Sequence, residues 1–296
     1  MKEPELVLLT SPDWVDYELL DSGNGARLER YGQYRFVRPE HQAIWRTSLP
    51  ASRWEQAEAE FHPTGEESGG RWELRRPIQT EWLMQYKGLK FQARAAGSRQ
   101  LGVFPEQANH WEWMAGLIQN AGRPPRVLNL FGYTGLATLA AAQAGASVTH
   151  VDASKKAVQW ARLNQDLSGL QDRPVRWLVD DVDKFVRREL RRGSRYDGLI
   201  LDPPKFGRGP EGQVWEIFAS LPDLLERCRG LLSPQPLFVV LTAYAIRASA
   251  LSIYYALQEM TSAYQGELTA GELALTERSA GRLLSTAIFA RWAAGK

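Results

Sequence analysis

The chain predicts an α/β fold: a doubly wound, mostly parallel sheet that finishes in an antiparallel hairpin, behind a small, mainly β N-terminal domain. Three observations carry this. Residues 126–136, RVLNLFGYTGL, read as a strand, a glycine turn and a helix in immediate succession. From there strand-like and helix-like stretches alternate, the pattern of a parallel sheet with crossover helices. The last two strands follow one another with no helix between them, so they must run antiparallel.

Residues 1–100 form the smaller domain. Stretches 17–20 and 34–37 have strand character, and Asp21-Ser22-Gly23-Asn24-Gly25 between them is a turn. Further strands are expected at 71–75, 81–86 and 89–95, with Lys87-Gly88 closing a hairpin. Residues 62–70, HPTGEESGG, read as a polar glycine-rich loop. The segment holds 14 basic and 15 acidic residues, so it is near neutral. Arg75-Arg76 and Arg94/Arg99 could touch phosphate, but they fit a solvated sheet face better.

Residues 101–296 form the larger domain. A helix is expected at 110–120, ended by Gly122-Arg123-Pro124-Pro125. Strands follow at 127–130, 148–151, 175–179, 198–201 and 237–241. The helices between them fall at 134–144, 155–167, 182–192 and 215–231, and another at 251–261. Stretches 267–274 and 284–292 make the closing pair.

The glycine turn is Phe131-Gly132-Tyr133-Thr134-Gly135. It carries only the G-x-x-G half of the dinucleotide fingerprint, so alone it also fits an ordinary strand-to-helix turn. Asp152 ends the second strand, 20 residues after Gly132, where a carboxylate can accept from ribose hydroxyls. Asp152 or Ser154 can equally cap the next helix. Asp180-Asp181-Val182 follows the third strand. There a carboxylate can accept from an adenine amino group, or Asp181 can cap its helix. Arg187, Arg188, Arg191 and Arg192 on that helix fit a solvated face better than an RNA contact. The fourth strand ends in Asp202-Pro203-Pro204-Lys205-Phe206, the most specific feature of the chain. The prolines stop the strand and fix φ, so a rigid turn presents a carboxylate and carbonyls to an amino group or ring nitrogen.

In this order and spacing NLFGYTG, VDAS, DDV and DPPKF resemble the motifs of class I S-adenosylmethionine-dependent methyltransferases. They are most similar to the bacterial group that methylates large-subunit ribosomal RNA at cytosine C5 or guanine N7. Gly102-Val103-Phe104-Pro105-Glu106-Gln107 resembles that group's G-x-F-x-D-Q segment, with Glu106 in place of Asp. The resemblance spans roughly residues 101–241. It implies a Rossmann-like seven-stranded methyltransferase sheet and S-adenosylmethionine as cofactor. It places the methionine part on Asn129, Phe131, Gly132, Tyr133 and Gly135. The ribose falls to Asp152 with Ala153 and Ser154, and the adenine to Asp181 and Val182. Phe104 and Gln107 would close the site. Asp202, Pro203, Pro204 and Lys205 would face the methyl group and its acceptor, with Lys205 meeting phosphate or the substrate, or pointing to solvent. A separate N-terminal RNA-binding module of the kind some relatives carry is not expected in this chain.

One departure matters. Methylation of cytosine C5 needs a cysteine thiolate to add at C6 first. The resembling C5 enzymes carry that cysteine after the fifth strand, where this chain has Leu241-Thr242-Ala243-Tyr244-Ala245. The single cysteine, Cys228, falls in a helical pattern and reads as packing. A base nitrogen, which needs no covalent intermediate, is therefore the expected acceptor. A protein side-chain amide or a small molecule is the alternative. A catalytically silent RNA-binding protein of the same fold and a nicotinamide dehydrogenase are the remaining readings.

Composition agrees. The 296 residues are 44% apolar, with 36 basic and 34 acidic side chains and a net charge of +2. That balance does not by itself announce nucleic acid. One cysteine excludes an internal disulfide and a cysteine-cluster zinc site, and suits the cytoplasm. No apolar run reaches the ~18 residues of a membrane span, and residues 1–10 do not read as a secretory signal. No metal is expected, and the oligomeric state is left open.

Overall fold

A computed structural model describes residues 3–64, 69–95 and 98–295, so positions 65–68 of the predicted glycine-rich loop lie outside the described residues. The chain divides into two compact units. The first is Met1–Leu9, Asn109–Leu273 and Thr286–Lys296; the second is Thr10–Ala108 with Ala274–Ser285.

The first unit holds the α/β sheet. Its strand order is Leu6–Thr10, Gly266–Thr276, Leu283–Ala294, Phe238–Tyr244, Gly198–Leu201, Arg126–Leu130, Ser147–Asp152 and Val175–Val179. The five strands of the alternating region are parallel, and Leu283–Ala294 runs antiparallel to Phe238–Tyr244. These are the seven expected strands in a methyltransferase-type order. An eighth, Leu6–Thr10, joins the edge beside Gly266–Thr276. It escapes sequence reading because it is an edge strand of only five residues, with Leu6 and Leu8 exposed and Val7 and Leu9 partly buried.

The parallel strands leave Arg126–Leu130 in both directions. Ser147–Asp152 and Val175–Val179 lie on one side, Gly198–Leu201 and Phe238–Tyr244 on the other. The point where the winding reverses lies between the strands preceding the glycine turn and the acid-proline turn. In open α/β sheets ligands bind outside the carboxyl ends of the strands at such a point. Register brings those ends level: Leu130 is opposite Val151 and Leu201, and Asp152 is opposite Val179. Leu128, Leu130, Val151, Leu199, Leu201, Val239 and Leu241 are all fully buried beneath them, as parallel strands covered on both faces require.

Helix Lys155–Leu167 has the predicted bounds, and Val182–Arg191 ends one residue early. The helix expected at 215–231 starts later, at Ile217, and runs to Arg229. Val214–Glu216 instead pairs antiparallel with Phe206–Arg208. Glu216 then caps the helix, its carboxylate accepting from Ala219 N–H at 2.7 Å.

In the second unit Tyr17–Gly23, Ala26–Tyr31, Tyr34–Pro39, Ala59–Pro63 and Gly70–Leu74 form a five-stranded sheet in sequence order. Its pairs are antiparallel except for Tyr34–Pro39 with Ala59–Pro63. Glu81–Tyr86 and Leu89–Arg94 make the predicted hairpin. The strand Ala26–Tyr31 is not visible in the apolar pattern. Its Glu29 is fully buried and takes the Arg38 guanidinium in two hydrogen bonds of 2.7 and 2.8 Å. A charge paired this way counts as core although its letter reads as surface. Glu106 is also buried in this unit, and burial raises its carboxyl above the usual range.

Candidate active site

Two turns meet the switch point, and the residues of each explain its shape. The first follows Arg126–Leu130. Phe131 and Tyr133 both take left-handed backbone, at φ 60° and 50°, and Gly135 lies at φ 82°. Two non-glycine residues in this region within three positions store ~1–3 kcal/mol of strain each. Gly132 turns tightly for a different reason. A Cβ there would come within 2.4 Å of His150 Nδ1, so it must be glycine because of what lies beneath it.

Beneath the turn lies a sealed polar chain. Asn129 Nδ2 donates to Thr138 Oγ1 at 2.9 Å, and Thr138 Oγ1 shares a 2.9 Å hydrogen bond with His150 Nδ1. The His150 ring packs 4.6 Å from Trp177, whose indole N–H donates to Gln165 Oε1 at 2.8 Å. Asn129, Thr138 and His150 are buried, and burial pushes the His150 imidazole down to about 3. His150 is therefore neutral, and its Nε2 has no partner among the described residues. Sequence reading singled out Asn129 but missed Thr138, His150 and Trp177. The available signal was a histidine inside an apolar parallel strand.

Asp152 faces the turn from the next strand. Its Oδ2 accepts from Tyr133 N–H and its Oδ1 from Ser154 N–H, both at 2.8 Å. Burial raises this carboxyl above its ordinary range, opposed by those two hydrogen bonds. Each carboxylate oxygen keeps acceptor capacity beyond one N–H bond, so a desolvated, oriented acceptor stands beside the glycine turn. Ser154 caps helix Lys155–Leu167, accepting from Ala157 N–H at 3.2 Å. The capping and ligand readings of this stretch thus divide between Ser154 and Asp152.

Asp180 N–H donates to the Asp152 carbonyl at 3.1 Å, which brings the third strand's exit alongside. Asp181 caps helix Val182–Arg191, its Oδ1 accepting from Lys184 N–H at 2.9 Å. A Cβ on Gly209 would lie 2.7 Å from Asp181 Oδ2, so that glycine passes directly over the carboxylate. Val182 is buried. Of Arg187, Arg188, Arg191 and Arg192, three are engaged with nearby acids: Arg187 with Asp183 at 2.7 Å, Arg192 with Glu189 at 2.9 Å, and Arg188 with Asp180; Arg191 is exposed.

The second turn follows Gly198–Leu201. Asp202 is half-buried, Pro203 buried and Pro204 exposed. Lys205 Nζ lies 5.1 Å from the centre of the exposed Phe206 ring. The Pro204 carbonyl accepts from Trp215 Nε1 at 2.6 Å, and the Trp215 ring lies 4.9 Å from Phe131. Trp215 thus touches both turns. Sequence reading gave it to a helix start and missed it, since a tryptophan next to a helix carries no local sign of such a contact.

The structure therefore gathers Asn129, Phe131, Gly132, Tyr133, Gly135, Asp152, Ala153, Ser154, Asp181 and Val182 with Asp202 to Lys205 around aligned strand ends. Phe104 and Gln107 belong to the second unit, where Gln107 N–H donates to the Phe104 carbonyl at 3.1 Å around the short turn Pro105–Gln107. Among the described residues no group of three histidine, cysteine or carboxylate side chains could hold a metal ion, and no helix is long and apolar enough to cross a membrane.

The S-adenosylmethionine-dependent methyltransferase family model matches residues 37–249. A crystal structure of the S-adenosylmethionine-dependent methyltransferase from Agrobacterium tumefaciens superposes with a TM-score of 0.93. It is 48% identical and covers 99% of this chain and 97% of its own. The chain belongs to the S-adenosylmethionine-dependent methyltransferase family, and its cofactor is S-adenosylmethionine. Among curated proteins it is similar to ribosomal RNA large subunit methyltransferase I of two bacteria. That of Aeromonas salmonicida is 38% identical over 149 residues, 50% of this chain and 34% of the relative. That of Shewanella denitrificans is 34% identical over 125 residues, 42% of this chain and 30% of the relative. The matched stretch thus covers only about a third of those relatives' length.

The residues present fit this cofactor. A carboxylate at a strand end, turned by two backbone N–H groups and partly shielded from water, is suited to hydroxyl donors such as those of ribose. The Asp181 Oδ2 is suited to an amino group.

Proposed function

We propose that this protein transfers the methyl group of S-adenosylmethionine directly to a base nitrogen of RNA in the cytoplasm, with no cysteine adduct. The observation that carries direct transfer is the position of Cys228. This one thiol is fully buried in the core of the first unit, and burial pushes it up to about 12. A thiol so placed is neither ionised near neutral pH nor accessible to a ring carbon. The acceptor must therefore bring its own lone pair, as a ring nitrogen or amine does.

In this reading Asn129, Phe131, Gly132, Tyr133 and Gly135 hold the methionine part, Asp152 the ribose, and Asp181 and Val182 the adenine. When bound, the cofactor supplies an electrophilic methyl on a sulfonium. The chain supplies position and a hydrogen-bond acceptor. Asp202 and the Pro203 carbonyl orient the acceptor's N–H and draw its proton outward, which leaves the lone pair directed at the methyl.

RNA as acceptor is supported by the names of the curated relatives. A protein side-chain amide is the second reading, favoured by one observation: several arginines of the small unit are occupied by its own acids. Arg35 meets Glu58 at 2.9 Å, Arg94 meets Glu81 at 2.7 Å, and Arg75 is held by Glu60. The test is transfer of labelled methyl into cell extract with and without ribonuclease. Label lost on ribonuclease treatment supports RNA; label that survives it and is lost to protease establishes the second reading instead.

A further inference from the structure

The proline turn is rich in acceptors and poor in donors. Neither Pro203 nor Pro204 has an N–H, while each contributes a carbonyl. Which carbonyl faces the acceptor nitrogen is then a matter of which one something else takes. The structure answers this with Trp215.

Trp215 sits on the short hairpin formed by Phe206–Arg208 and Val214–Glu216, directly opposite Gly207. Three contacts fix the hairpin beside the proline turn. Trp215 Nε1 donates to the Pro204 carbonyl at 2.6 Å. Ile217 N–H donates to the Lys205 carbonyl at 3.0 Å. A Cβ on Gly207 would lie 3.3 Å from the Pro204 ring, so the strand is pressed against that proline. The other face of the indole meets Phe131 at 4.9 Å with the rings tilted by 58°. Phe131 is one of the two residues held in left-handed backbone at the glycine turn. One side chain therefore touches the residue that opens the first turn and the carbonyl that closes the second.

We propose that Trp215 is a positioning residue for methyl transfer, locking the proline turn to the glycine turn and turning the acceptor toward Asp202 and Pro203. This rests on the reading that the Asp202–Pro204 turn receives the acceptor. The indole N–H occupies the Pro204 carbonyl, so an incoming amine meets the other end of the turn. The ring contact couples that end to the turn assigned to the methionine part. A misplacement of about an ångström between reacting groups is enough to cost ~10²-fold in rate.

Two variants separate positioning from folding. Trp215→Phe keeps a ring against Phe131 and removes the N–H. Its rate of methyl transfer at saturating S-adenosylmethionine should fall about five- to tenfold, the worth of one hydrogen bond. The KM for S-adenosylmethionine and the melting temperature should stay at their wild-type values. Trp215→Ala also removes the ring, so its KM for S-adenosylmethionine should rise several-fold as well. The rates are read as total label entering cell extract, whichever macromolecule receives it, and ribonuclease sensitivity is scored separately. Trp215→Phe at the wild-type rate overturns the proposal. So does a parallel loss of rate, cofactor affinity and melting temperature, because that is the mark of a merely structural residue. Label that enters protein rather than RNA overturns the RNA reading and leaves the Trp215 comparison intact. No incorporation by the wild type overturns both.

Discussion

At the glycine turn rigidity comes from below. Phe131 and Tyr133 are strained, and a chain of Asn129, Thr138, His150, Trp177 and Gln165, buried except for the half-buried Trp177, lies beneath them. At the proline turn rigidity comes from covalent bonds and from outside. Two pyrrolidine rings fix φ, and one indole on a partly exposed hairpin takes a carbonyl. In the proposed reading the first arrangement ties the cofactor turn to the stability of the sheet. In the same reading the second leaves the acceptor chemistry on a turn whose Asp202 is only half-buried. Damage to the first turn should appear in cofactor affinity and stability together, and loss of the Asp202 carboxylate at the second in rate alone.

The largest effect expected is at Asp202. Asp202→Ala should lose methyl transfer by ~10²-fold or more, the scale of a positioned acid–base group, and keep the wild-type melting temperature. The assay is initial rate at saturating cofactor. Asp152→Ala should instead weaken S-adenosylmethionine binding by about ten- to a hundredfold, since each charge-assisted hydrogen bond lost contributes ~1.5–3 kcal/mol. Its melting temperature should also drop, because Tyr133 N–H and Ser154 N–H lose their acceptor. The Asp152 carboxyl is raised by burial, and only its ionised form accepts two hydroxyls. Affinity for the cofactor should therefore decline on acidification at a higher pH than an ordinary aspartate gives, and this decline should vanish in Asp152→Ala.

How much of this could be read from the letters differs between the turns. Proline announces itself, since Pro203 and Pro204 dictate a strand exit wherever they stand. Asp152 was legible from its distance to Gly132. The support beneath the glycine turn was not legible. Gly132 is glycine because the His150 ring occupies its Cβ space, and that contact joins residues 18 apart that only the parallel register brings together. The hairpin that carries Trp215 was hidden because its strands have three residues each and the second, Val214–Glu216, runs straight into a helix. The strand Ala26–Tyr31 was hidden because its buried Glu29 looks like surface until Arg38 is placed beside it.

The buried histidines give a smaller, general effect. Burial lowers both His110 and His150 from 6.5 to about 3. A base with a depressed folded-state pKa contributes stability that is present above the unfolded value and lost as pH falls toward the folded one. The loss should begin near pH 6.5 and amount to on the order of 2 kcal/mol per histidine by pH 5. Urea unfolding at pH 7 and pH 5 measures it, and His110→Phe should flatten the difference by about half of the histidine contribution. The smallest effect belongs to Cys228. Cys228→Ala should keep turnover within a few-fold and lose only some packing stability. Complete loss of transfer with the fold intact would contradict direct transfer to a nitrogen.

The division between a cofactor turn and an acceptor turn is tested most directly by one paired measurement. S-adenosylmethionine is titrated calorimetrically into Asp202→Ala and Asp152→Ala, and transfer is measured at saturating cofactor with the same two preparations. The account predicts a crossing: Asp202→Ala binds like the wild type and transfers ~10²-fold more slowly, while Asp152→Ala binds poorly and recovers most of its rate once saturated. Parallel losses of binding and rate in both variants would contradict it.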